Sequence, residues 1–143
     1  MDRRMAWITT VGVAVVLCAG LVKAAEKPSP EYVAAMKAIN GANGKLRPLL
    51  AAETKDYAAI AAVAADLKAP TAFTAKFWAP RNAEVGTKVS ADVAKAATDL
   101  ETAAKAGDAA AVAAAGAIVT GSCRTCHTAH RTDRLPDGTY EIK

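Results

Sequence analysis

Aromatic side chains are scarce: two Phe, two Trp and three Tyr make up 5% of 143 residues. The positions that helical periodicity would turn inward are filled largely by alanine. Full burial of a Val, Leu or Phe side chain is worth about 1.5–3 kcal/mol and alanine offers far less, so protein side chains alone would make a thin core. No run alternates apolar and polar residues with period two, so strands are not expected. No block of like charges occurs, and nothing in the pattern marks a nucleic-acid binder. The length corresponds to about one domain.

The first segment reads as an export signal rather than as part of that domain. Arg3 and Arg4 precede an apolar run from Val11 to Val22 broken only by glycines, and Val22-Lys23-Ala24 forms a small-residue exit. The run is short for a membrane span of about 20 residues, so cleavage near Ala24 is expected and no stable span afterwards. Cys18 would leave with the signal; Leu17 stands where a lipid-anchoring motif wants a small residue. Removal of residues 1–24 takes the basic count from eighteen to fifteen and the acidic count from fourteen to thirteen, which lowers the net charge from +4 to +2.

Four segments carry helical periodicity. The first, about Pro30 to Asn43, places Tyr32, Met36 and Ile39 on one face, with Gly41, Gly44 and Pro48 expected to stop a straight continuation to Leu50. The second, about Thr54 to Lys68, aligns Tyr57, Ile60, Val63 or Ala64, and Leu67, and Pro70 is expected to end it. Residues 71–82, with Phe73, Phe77 and Trp78 between two prolines, read as a loop covering the core edge. The third, Ala83 to Ala106, turns Val85, Val89, Val93, Ala96 and Leu100 inward and alternates Lys88, Asp92, Lys95 and Asp99 outside. Gly107 closes it and Asp108 caps the fourth, Ala109 to Arg131, whose face of Val112, Ala115 and Val119 continues through Cys123 and Cys126. The expected fold is all-α, an antiparallel four-helix bundle.

The chemistry is concentrated in GSCRTCHTAHR, residues 121–131. Cys123, Cys126 and His127 stand at i, i+3 and i+4, on one side of a helix turn. Two thiols so placed can add to the two vinyl groups of a haem while the adjacent imidazole reaches the iron, and C-x-x-C-H is the c-type haem attachment pattern. A haem would also supply the missing core. A thioredoxin-like dithiol needs a βαβ context that is not visible. A single disulfide explains neither His127 nor the thin core. A zinc site from Cys123, Cys126, His127 and His130 has suitable atoms, but adjacent Cys and His on a helix rarely close a tetrahedron. His130, on the same side of an iron as His127, is expected to pack or hydrogen-bond near the haem edge.

The export signal, the four helices and the C-terminal C-x-x-C-H with Arg131 at the fourth position after the histidine resemble the class II cytochromes c, the cytochrome c′ family, from Ala25 to Arg131. The resemblance implies a single haem domain over residues 25–143 holding one haem c, with Cys123 and Cys126 as covalent thioether attachments and His127 as the proximal iron ligand. It places Met36 at the distal position of the first helix, where the low-spin Met/His branch, the cytochrome c-556 type, supplies the sixth ligand. Met36 is also the only methionine beyond the export signal. A Met/His pair saturates the iron and favours electron transfer over ligand chemistry. Arg131 becomes a candidate partner for a haem propionate. Tyr32 departs from the family, many members of which carry arginine one turn before the distal position.

The implied protein is a periplasmic electron carrier, not an enzyme, exchanging single electrons with redox partner proteins. Pairing of two chains, as in many members, stays open. Two alternatives also stay open: a five-coordinate cytochrome c′ that binds nitric oxide or carbon monoxide with Met36 only packing, and a haem-free bundle with zinc or a disulfide.

Overall fold

The computed structural model describes residues 24–143, and the proposed export signal with Cys18 lies outside the described residues. Most of what is described is helix: α1 (Pro30–Ala51), α2 (Tyr57–Trp78), α3 (Glu84–Ala106), α4 (Ala109–Gly121) and α5 (Cys123–His130), with a 3₁₀ turn at Ala79–Arg81. No strand occurs among the described residues. The fold is all-α, as the patterning requires.

Local chemistry accounts for the helix starts. Ser29 accepts from the Tyr32 N–H, Asp56 from Ala59 and Asp108 from Ala111, each satisfying one amide that lacks an intrahelical partner. Gly107, at φ 68°, closes α3 with its amide directed to the Ala103 and Ala104 carbonyls. The α3 start differs: Ala83 precedes it and supplies no capping side chain.

Both internal prolines are carried inside helices rather than ending them. In α1, Pro48 removes the N–H that would reach the Gly44 carbonyl, but both residues are exposed, so water can take that carbonyl. In α2, Pro70 is followed by buried threonines that bond back to the helix: Thr71 Oγ1 donates to the Leu67 carbonyl at 2.7 Å, and Thr74 Oγ1 to the Thr71 carbonyl at 2.9 Å. Residues 71–78, expected as a loop, therefore extend α2 by two turns. The expected fourth helix is divided at Ser122 into α4 and α5.

Consecutive helices pack on one another, most broadly α2 on α3, then α1 on α2 and α3 on α4. Their common core joins Leu46 of α1, Ile60 and Leu67 of α2, Leu100 of α3, and Val112 and Val119 of α4, interleaved with alanines. The thin core expected from composition is met by close approach. A Cβ on Gly116 would stand 2.6 Å from Leu50 Cδ1, and one on Gly86 would stand 2.6 Å from Trp78 Cδ2. Gly86, not the expected Val85, faces inward at the start of α3; Val85 is exposed. The two positions differ by one residue, about 100° of helix, and the indole leaves no room for a side chain there.

A second apolar cluster comprises Tyr32, Trp78 and Ile142, with Phe77 and Met36 against it. Tyr32 and Phe77 have ring centroids 4.3 Å apart, and Phe77 meets Trp78 edge-on at 5.2 Å. Ile142 brings the C-terminal tail here. Its amide and carbonyl exchange hydrogen bonds with Glu26 at 2.8 and 2.7 Å, and the Lys143 amide donates to the His130 carbonyl. The tail thus ties the start of the described chain to the end of α5.

Candidate functional site

Cys123, Cys126 and His127 lie on α5, all half-buried, with both thiols free. Two hydrogen bonds link this helix and the end of α4 to α1: Asn43 Nδ2 donates to Cys123 Sγ at 3.4 Å, and an Arg47 guanidinium N–H donates to the Thr120 carbonyl at 3.3 Å. Yet no Cα of α1 comes within 8 Å of a Cα of α5. Directly packed helices have axes 8–10 Å apart, so these two are held wider than packing distance, with side chains reaching across.

The electrostatics suit a metal-binding imidazole. Burial, with the Arg131 charge adding to it, pushes the His127 pKa below the ordinary histidine value, which favours the neutral ring with a lone pair free for a metal. Burial, reinforced by Cys123, pushes the Cys126 thiol up. Beside Cys123 and His127 an open hollow of about 780 Å³ is lined also by Arg47, Arg124, Arg131 and Asp133. That volume is within the roughly 300–1,000 Å³ of small-molecule and cofactor sites.

His130 has a different employment. Its Nε2 accepts the Gly86 N–H at 3.0 Å, and its ring stacks on Trp78 with centroids 4.5 Å apart. That bond uses the lone pair a metal would need and supplies the cap that α3 lacks locally. Among the described residues no three His, Cys, Asp or Glu side chains converge to hold a metal ion.

Met36 is half-buried on α1 and packs against both apolar clusters; the hollow is lined without it. Arg131 lies on the hollow, its guanidinium 4.1 Å above the Tyr140 ring. The donor set fits a covalently bound haem: two free thiols and an imidazole whose burial favours the neutral ring, on one turn of a helix set wider than packing distance from α1. A buried polar atom without a partner, Asn43 Oδ1, lies at the same place. Asn43, Arg47 and Arg124 were not singled out from sequence. Asn43 alone carried a signal, a polar residue four positions after Ile39 on the inward stripe of α1.

Comparison of the chain with protein-family models, curated proteins and solved structures gives no match.

Proposed function

We propose that the chain is an exported monohaem c-type cytochrome of class II that carries single electrons between redox partners. The observation that carries this reading is the placement of Cys123, Cys126 and His127. They share one half-buried face of α5, with thiols free and an imidazole whose burial favours the neutral ring, on a helix set wider than packing distance from α1. The finer architecture proposed is an antiparallel four-helix bundle. Its support is the order of cross-contacts: Asn43 and Arg47 on α1 meet Cys123 and Thr120 in reverse order.

Each residue has a defined task. Cys123 and Cys126 would hold a haem edge through thioether bonds formed by addition of each S–H across a vinyl group. His127 presents its lone pair from the same turn, in a setting whose burial disfavours protonation. Met36 offers a thioether sulfur from α1, and Arg131 offers a cation to a propionate. Bound haem c supplies a one-electron couple at its iron. Tyr32, Phe77 and Trp78 exclude water beside Met36.

Purified from cells with cytochrome maturation, the chain should be coloured, and the colour should stay with the polypeptide in acid acetone. A colourless chain, or colour lost to the solvent, refutes the proposal. One observation favours the five-coordinate gas-binding alternative: Met36 is seated among apolar side chains and off the hollow. The zinc alternative lacks its fourth donor, because Gly86 engages the His130 Nε2.

A further inference from the structure

The positive charge of the chain is unevenly used. On α2 and α3 four of the five lysines are paired, Lys68 and Lys105 both with Glu101, Lys88 with Asp92 and Lys95 with Asp99, and only Lys76 lacks a carboxylate among the described residues. Around the hollow at α5 no cation is paired within those residues. Arg47, Arg124 and Arg131 are exposed, and none pairs with a carboxylate among the described residues. Asp133 is the single acidic residue on that lining. Lys143 lines the same hollow, so four basic side chains stand against one aspartate, +3 where residues 25–143 as a whole carry +2, and the side chains outside this rim sum to −1.

Such asymmetry orients an approaching molecule, because a patch of one sign on a body otherwise close to neutral sets the direction of its field. Arginine suits the contact as well as the approach, since its planar fork pairs with carboxylates through two parallel hydrogen bonds. Arg47 is already oriented by Thr120, which reduces the entropy lost on binding, while Arg131, set over Tyr140, is shared with the propionate role given to it above. The rim surrounds Cys123 and His127, the end of the molecule where electron exchange would occur.

We propose that the arginine rim around the α5 hollow is the docking surface for an acidic face of a redox partner protein. The partner's redox role rests on the electron-carrier reading above; the charge preference does not.

The test is an amide NMR titration of the mature, haem-loaded chain with decaglutamate and, separately, with decalysine. It is run at about 10 mM salt, where the Debye length is about 30 Å, and at about 150 mM, where it is about 8 Å. Decaglutamate alone should shift amides at Arg47 and at residues 120–132, with apparent affinity about tenfold weaker at the higher salt. The double substitution Arg47→Glu, Arg124→Glu should abolish the shifts with the helical circular dichroism intact. Shifts that are absent, scattered over α2 and α3, or equal with decalysine overturn the proposal. So does peptide binding that survives the double substitution while the absorption spectrum changes, which would assign the arginines to the haem propionates. A chain that holds no haem fails the electron-carrier reading, yet the same titration on it still judges the rim.

Discussion

His130 caps a helix to which it does not belong, and replacing it tests how α5 is held. The third amide of α3, at Gly86, has no partner within its own helix, and Ala83 gives it none. His130→Ala removes the 3.0 Å acceptor and the ring stacked on Trp78. Loss of a cap costs about 0.5–2 kcal/mol and loss of an aromatic pair about 0.5–1.5, so destabilisation by about 1–3 kcal/mol is expected. Ala83→Asp supplies a local cap for the same Gly86 amide. It should restore about 1 kcal/mol in the His130→Ala background and only a few tenths in the parent, where that amide is already engaged. Equilibrium urea unfolding near neutral pH, followed by far-ultraviolet circular dichroism, measures all four corners of this cycle. The reasoning is refuted if His130→Ala unfolds with the parent, or if Ala83→Asp stabilises both backgrounds equally.

Three further outcomes are expected. Met36→Ala should convert a low-spin absorption spectrum to a high-spin one; an unchanged spectrum removes Met36 from the iron. Burial raises the Tyr32 pKa to about 12, so its contribution to stability is present below pH 10 and lost as the pH rises towards 12. In ¹³C NMR its ring should remain protonated at pH 10, where an ordinary phenol is half ionised, and half-ionisation there contradicts its burial. Gly116→Ala meets the flexible end of Leu50 and Gly86→Ala the rigid Trp78 ring. Both gain about 1 kcal/mol of helix propensity, but only the second should be clearly destabilising on thermal unfolding, by up to about 2 kcal/mol net. Equal effects would contradict the packing described at Trp78.

What was legible in the sequence was local. The stripe Tyr57, Ile60, Leu67 and the caps Asp108 and Gly107 depend on neighbours within one or two turns, and the structure has them where periodicity puts them. Cys123, Cys126 and His127 were readable for the same reason, since their spacing alone puts them on one turn. Pro48 and Pro70 were misread because the rule that proline ends a helix assumes a carbonyl with no other partner. Exposure at Gly44 and at Asp66, whose carbonyls the two prolines leave without a helix amide, lets water take both and removes that condition. Val85 was preferred over Gly86 because hydropathy cannot register the approach of an indole from another helix. Asn43, the arginine rim and the bridge from Ile142 to Glu26 depend on pairs far apart in the chain, and no local pattern encodes them.

The central claim is that α5 carries a covalently bound haem whose iron is held between His127 and Met36. Absorption spectra of the purified mature protein, oxidised and reduced, before and after addition of carbon monoxide, test it most directly. The account predicts a low-spin spectrum in both states that carbon monoxide leaves unchanged. A high-spin spectrum that shifts with carbon monoxide contradicts the Met36 assignment and turns the reading to gas binding, and a colourless protein contradicts the haem altogether.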